Sequence, residues 1–181
     1  GSIMAKIMHG FGCKILAYDQ APDYDLIELC NVTYTPLNEL CEESDIISLH
    51  IPMNYENYYF INKEKLSLMK KSTILINTSR GELVDTKALI EALEAKNIAG
   101  YATDVYEKEK GIFFKDHSKN GIKDERLKKL LSLTNVLLTP HQAFITTEAL
   151  TNIAEITFDN LDSWSQGHIS KNELGMELIN S

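Results

Sequence analysis

A chain of 181 residues, 44% hydrophobic and 24% charged, holds enough apolar material for one ordinary globular domain with a small appendage. Its net charge of −8 argues against a general nucleic-acid or anionic-membrane partner, because neutralising phosphates requires clustered Lys and Arg. The longest apolar stretches, 46–49 and 74–76, are far too short to span a bilayer, and no signal peptide is visible, which predicts a cytoplasmic protein.

In chain order, the opening reads as a helix over 2–9, a Gly-Phe-Gly turn at Gly10–Gly12 and a strand over 14–19. A helix over 23–30 follows, then one over 36–42 with Thr35 as its cap and Pro36 in its first turn, where a missing N–H costs nothing. Strands are expected at 45–51, 72–78, 99–105 and 136–139, with helices at 63–69 and 86–96 between them. The strands are apolar on consecutive positions, which suits parallel strands covered on both faces. Residues 106–124 lose all periodicity and read as a long functional loop. A last helix over 147–166 carries Leu150, Ile153, Ala154, Phe158, Leu161 and Trp164 on one broad face, fit to cover the sheet or clasp another domain. Cys13, Cys30 and Cys41 have neither CxxC spacing nor a clustered His, so they read as core residues and no metal site is expected.

The alternation of strand and helix predicts an α/β fold, a Rossmann-like doubly wound parallel sheet. The front end looks like the second half of a dinucleotide-binding unit, in which an acid near 20 residues beyond the glycine turn accepts hydrogen bonds from the ribose. That acid is Asp19, and a carboxylate there favours NAD over NADP. Gly1 falls where the third glycine of the turn stands, although Gly1–Ser2 reads equally as a leftover of cloning.

Three segments carry a more specific signal: NTSRGELVDTKALIEAL at 77–93, GYATDVYEKE at 100–109 and LLTPHQAF at 137–144. Together they resemble the signature regions of the NAD-dependent D-2-hydroxyacid dehydrogenases, and the GIFFKDHS loop with the PHQAF and NEL segments points to the D-lactate branch. The resemblance runs from Gly1 to about Leu174. It implies that Arg80 binds substrate, that His141 is the acid/base and that Glu109 is the catalytic glutamate behind it, with Asp104 a supporting carboxylate that extends this effect or contacts the cofactor.

Each residue type suits its role. The planar guanidinium of Arg80 can grip the carboxylate of a 2-oxo acid through two parallel hydrogen bonds. Reduction of the keto group needs a proton donor that titrates near neutrality, as histidine does. A carboxylate on the far nitrogen orients the imidazole and favours its protonated form. Glu109 lies among Glu107, Lys108 and Lys110, and Glu107 is the residue with which it is most easily confused. His50, Pro52, Thr78 and Ser79 stand at strand ends, the edge where cofactors lie in open parallel sheets, and Phe144 is a candidate apolar wall beside the substrate methyl group.

The resemblance also implies an active site in a cleft between two domains. Residues 1–145 are expected to form an NAD-binding domain lacking its first strand, and 146–181 a helix and tail returning to a substrate domain that precedes this sequence. Two unpaired strand edges then favour a homodimer or a domain-swapped oligomer, and the 181 residues alone are expected to be inactive. The function implied is NAD-dependent reduction of pyruvate or a similar 2-oxo acid. The alternatives are a non-catalytic nucleotide-binding or dimerisation remnant and a dehydrogenase for a different 2-hydroxy acid.

Overall fold

The computed structural model describes residues 1–170 and 172–173, so Leu174 and the rest of the expected tail lie outside the described residues. The chain divides into two compact units, Gly1–His141 and a second beginning at Gln142, a few residues before the boundary expected at 145.

The first unit runs α1 (Ser2–Gly10), β1 (Leu16–Ala17), α2 (Tyr24–Cys30), β2 (Thr33–Tyr34), α3 (Leu37–Glu43), β3 (Ile46–Leu49), α4 (Lys63–Leu68), β4 (Ile74–Asn77), a 3-10 turn (Gly81–Leu83), α5 (Thr86–Glu94), β5 (Gly100–Thr103), α6 (Glu125–Ser132) and β6 (Val136–Leu138). Every strand pair is parallel, in a two-stranded sheet β1-β2 and a four-stranded sheet β3-β4-β5-β6. This is a Rossmann-like architecture, a parallel sheet with flanking helices. Among the described residues β1 pairs with β2 alone and β3 with β4 alone, so each has one open edge.

Local chemistry starts the helices. Side chains of Asn62, Asp85 and Asp124 accept backbone N–H groups at the starts of α4, α5 and α6, satisfying donors that a helix leaves unpaired. The core gathers Leu49, Leu75, Leu83, Leu89, Leu127 and Leu130, all buried, from both strands and helices. Burial of that order, about 2 kcal/mol for each large aliphatic side chain, dominates the stability of the unit.

Several expectations are corrected. Pro36 is the cap of α3 and not its first residue: its ψ of 147° is extended, so the helix starts at Leu37 and Thr35 lies outside it. Both-face cover holds for β5 but not for the starts of β3 and β4, where Ile46 and Ile74 are 57% and 41% exposed and the burial alternates along the strand. Cys13 is exposed, whereas Cys30 and Cys41 are core residues, and burial pushes the Cys41 thiol up to about 11. The expected loop over 106–124 contains no helix or strand, but its Ile112 and Phe113 pack against the core. α6 and β2 were not anticipated.

In the second unit, α7 (Thr147–Ser165) is capped by the Thr146 hydroxyl, which accepts from Ala149 N–H at 3.2 Å. Its apolar face is open, with Leu150, Ile153, Phe158, Leu161 and Trp164 all exposed. No helix among the described residues is long and apolar enough to cross a membrane.

Candidate active site

The strand register lines up one edge of the sheet. Leu49 sits beside Asn77, Asn77 beside Thr103 and Thr103 beside Leu138, so four carboxyl ends finish level. The residues that follow them are His50 after β3, Thr78, Ser79 and Arg80 after β4, Asp104 after β5 and His141 after β6. Pro52 continues from His50, and Asp19 follows β1 in the smaller sheet. Sequence positions far apart thus converge because parallel strands deliver every turn to the same edge.

At β6 the chain is bent sharply. His141 N–H donates to the Asp104 carbonyl at 2.7 Å, and the His141 backbone adopts a φ of +54°, a conformation rarely taken by a side-chain-bearing residue. The Asp104 side chain is buried and accepts the Thr139 hydroxyl at 2.5 Å. Asp104 therefore braces the β6 turn from beneath. The imidazole Nδ1 of His141 meets Oε1 of Glu109 at 2.7 Å, and both side chains are about one-third exposed. Glu109 Oε2 accepts the Tyr106 N–H at 3.0 Å, so both carboxylate oxygens are engaged. With Nδ1 occupied, Nε2 is the nitrogen left to address a ligand.

Glu107 has a different place. Its carboxylate, only 3% exposed, accepts from Arg126 Nη1 at 3.0 Å and from the Tyr59 hydroxyl at 2.8 Å. Geometry thus gives Glu109 to the histidine and Glu107 to the interior.

Arg80 is exposed, its Nη1 donating to the Ser79 carbonyl at 2.8 Å. The turn that carries it is tightly built: Asn77 donates its amide to the Arg80 carbonyl at 2.8 Å and accepts the Ser79 N–H at 3.0 Å, and the Ser79 hydroxyl donates to the Ile51 carbonyl. Gly81 comes next because nothing larger fits. A Cβ there would lie 2.1 Å from the Tyr106 carbonyl carbon and 2.2 Å from the Glu107 nitrogen. The Arg80 turn therefore rests directly on the segment that leads to Glu109.

The edge also suits an extended dinucleotide. α1 begins without a side-chain cap, and a Cβ added at Gly1 would lie 3.6 Å from the His50 Cβ, so the start of α1 is beside the end of β3. Asp19 is exposed and uses one oxygen to accept the Ala21 N–H at 2.9 Å. His50 is held below its ordinary value by burial, and its Nε2 lies 2.9 Å from the Ser48 hydroxyl. Phe144, 42% exposed, belongs to the second unit. Among the described residues no cluster of His, Cys, Asp and Glu could hold a metal ion.

Tyr59, Arg126 and Thr139 are not among the residues expected at the site, and Glu107 enters the expectation only as the alternative to Glu109. Nothing in the spacing of Tyr59 and Arg126 announces their contact with Glu107.

Residues 1–143 match the model of the D-isomer specific 2-hydroxyacid dehydrogenase, NAD binding domain. The chain is 48% identical over 168 residues to a 2-hydroxyacid dehydrogenase homolog of Zymomonas mobilis, covering 92% of this chain and 51% of that protein. It is 44% identical over 174 residues to the D-lactate dehydrogenase of Escherichia coli, covering 96% and 53% respectively. A solved D-lactate dehydrogenase from Sporolactobacillus sp. superposes with a TM-score of 0.89 at 37% identity, over 97% of this chain and 52% of that one. Another, from Lactobacillus jensenii and solved with NAD+, gives 0.86 at 36% identity, over 97% and 52%. The chain spans about half the length of the relatives it matches.

Proposed function

This chain belongs to the D-isomer specific 2-hydroxyacid dehydrogenase family, through its NAD-binding domain, and we propose that it supplies the cofactor wall and the proton-transfer pair for reduction of pyruvate or a similar 2-oxo acid to the D-2-hydroxy acid. The observation that carries this reading is the 2.7 Å contact between His141 and Glu109, on the same sheet edge as Arg80.

Bound NADH would supply the hydride, and the rest falls to this chain's own side chains. Arg80 is fit to hold the substrate carboxylate through a two-point contact, which turns the keto group towards His141. Glu109 holds Nδ1, so the proton given to the nascent alkoxide leaves from Nε2, and the carboxylate steadies the imidazolium that precedes transfer. In the reverse direction Nε2 accepts the hydroxyl proton. Asp19 would take the adenosine ribose hydroxyls, while His50, Pro52, Thr78 and Ser79 line the path between, with Asp104 acting through the His141 turn.

The second wall of the cleft is assigned to a substrate domain like that which fills out the longer relatives, to which α7 leads and beside which Phe144 would meet the substrate methyl group. Closure of two walls excludes water, so the 181 residues alone are expected to bind cofactor weakly and turn over little. The same reading carries a cytoplasmic homodimer or domain-swapped oligomer.

The test is NADH oxidation with pyruvate, followed by absorbance, for the 181-residue chain and for a chain that joins it to a substrate domain, each beside its Arg80→Ala, His141→Asn double variant. Turnover in the joined chain that the double variant abolishes supports the proposal. Equal activity in both overturns it, and cofactor binding without turnover in the joined chain would favour a nucleotide-binding module.

A further inference from the structure

Glu107 is a nearly fully buried carboxylate that takes no part in the proton-transfer pair, yet it is two residues from Glu109. Its partners come from two distant segments, Arg126 on α6 and Tyr59 in the turn after β3. Tyr59 is itself pinned, its N–H donating to the Glu82 carbonyl at 2.9 Å and its φ at +53°. Glu82 follows Gly81, and Gly81 lies against the Tyr106–Glu107 peptide. The chain thus closes a ring: Tyr59 backbone to Glu82, Gly81 onto Glu107, and Glu107 carboxylate back to the Tyr59 hydroxyl. A second tie, the Tyr106 hydroxyl donating to Asp124 at 2.8 Å, fastens the same segment to the start of α6.

We propose that Glu107, clamped by Tyr59 and Arg126, is a positioning residue that holds the 106–109 turn so that the Glu109 carboxylate stays on Nδ1 of His141 while the Arg80 turn stays seated against the same peptide. The turn has its own bonds, the Glu109 carbonyl accepting from Ile112 and Phe113 N–H at 2.9 Å each, but these do not orient the carboxylate. Glu109 N–H donates to the Tyr106 carbonyl at 3.1 Å and Glu109 Oε2 accepts from Tyr106 N–H, so the glutamate is fastened to Tyr106, and Tyr106 must be fastened to something else. Here only the carboxylate is buried, the Arg126 side chain being 41% exposed, and desolvating that carboxylate offsets much of the attraction. Its directional hydrogen bonds do, however, restrict a backbone to one orientation, and a catalytic carboxylate needs that orientation.

The proposal rests on the proton-transfer reading of Glu109 and His141, and the experiment separates the two. In alkaline solution a neutral imidazole carries one proton, and nitrogen-15 shifts of labelled histidine report whether Nδ1 or Nε2 holds it. In the 181-residue chain His141 is expected in the Nδ1–H form, donating to Glu109. Glu109→Ala should lower the Nδ1–H to Nε2–H ratio about tenfold, the loss of one charge-assisted hydrogen bond. If it does not, the proton-transfer reading itself fails.

Given that shift, Glu107→Ala should lower the ratio about fivefold, a partial loss of the same bond. Arg126→Lys, which keeps a cation within reach, should restore most of it relative to Arg126→Met. A Glu107→Ala protein that is less stable but keeps the parent tautomer ratio overturns the proposal, because Glu107 would then serve the fold alone. Should Glu107→Ala not fold, the isosteric Glu107→Gln decides by the same ratio: a fall supports positioning, and an unchanged ratio overturns it.

Discussion

The Nδ1 of His141 lies 2.7 Å from Oε1 of Glu109, although the two residues are 32 positions apart and sit on turns after different strands. The contact is built from both sides, by Asp104 bracing the histidine turn and by Tyr106 N–H holding the other carboxylate oxygen. When this chain is joined to a substrate domain, Glu109→Ala is expected to lower kcat by about 100-fold, within the range for an impaired general acid. Steady-state kinetics with pyruvate and NADH check it, and an unchanged kcat would remove Glu109 from the proton-transfer pair.

Arg80 tests the other end of the substrate. Replacing it by lysine keeps the charge and loses the fork, so kcat/KM for a 2-oxo acid should fall by at least ~10-fold, corresponding to one lost charged hydrogen bond. The same variant should bind NADH as the parent does, measured by fluorescence titration. A matching loss of NADH affinity would place Arg80 on the cofactor.

Gly81 is a packing constraint that no side chain can meet. With a Cβ 2.1 Å from the Tyr106 carbonyl carbon, Gly81→Ala must push apart the Arg80 turn and the 106–109 segment. A loss of about 3 kcal/mol is expected in urea unfolding, at the upper end for overpacking. Gly10, where an added Cβ meets nothing within 4 Å, serves as the comparison: Gly10→Ala should be far milder.

Asp124 supplies a pH-dependent part of the stability. Burial tends to raise its carboxyl, but the hydrogen bonds from Leu127 N–H and the Tyr106 hydroxyl, with Lys108 nearby, outweigh it and hold the carboxyl below its ordinary value of 3.8. A folded-state value below the unfolded one means that the contribution is complete above the ordinary value and is lost as pH falls through the lowered one. Asp124→Ala should therefore cost about 1 kcal/mol near neutrality, as for a lost helix cap, and the deficit should shrink in strong acid. A deficit that is constant with pH in denaturant titrations would contradict this.

Asp19 is the residue expected to set the choice of cofactor. Asp19→Ala should weaken NADH binding and narrow the preference over NADPH, because a carboxylate placed to accept ribose hydroxyls would also repel a 2′-phosphate. Calorimetric titration of both cofactors checks it, and an unchanged preference would place the adenosine ribose elsewhere.

Much of this was legible in the amino-acid order because it is local or periodic. The β-branched runs at 46–49 and 74–77, the Asp85 cap ahead of an amphipathic run and the TPH segment after β6 all declare themselves within a few residues. The short strand β2 did not, because two residues carry no period, whereas α6 has a local signal that the expectation left unused, an Asp124 cap followed by Leu127 and Leu130 at helical spacing. Glu109 was selected over Glu107 by the family resemblance and by its distance from Asp104, but the seat of Glu107 was not legible, because it depends on where Tyr59 and Arg126 arrive through the fold. Pro36 falls one position outside α3 because its backbone is still extended, a boundary that local capping rules do not fix to the residue.

The backbone at His141, with a φ of +54°, gives this residue two separable duties. One is a shape, a left-handed elbow that most side chains resist; the other is a titratable ring. Alanine would disturb both, whereas asparagine tolerates the elbow and cannot supply the proton. The elbow also narrows what evolution or an engineer can put here without reshaping the turn: glycine, asparagine or aspartate keep the bend but lose the ring. Abandoning this histidine while preserving the architecture is therefore cheap for the fold and decisive for the chemistry, so its identity in any related sequence is a sensitive single-letter indicator of whether proton transfer is still practised.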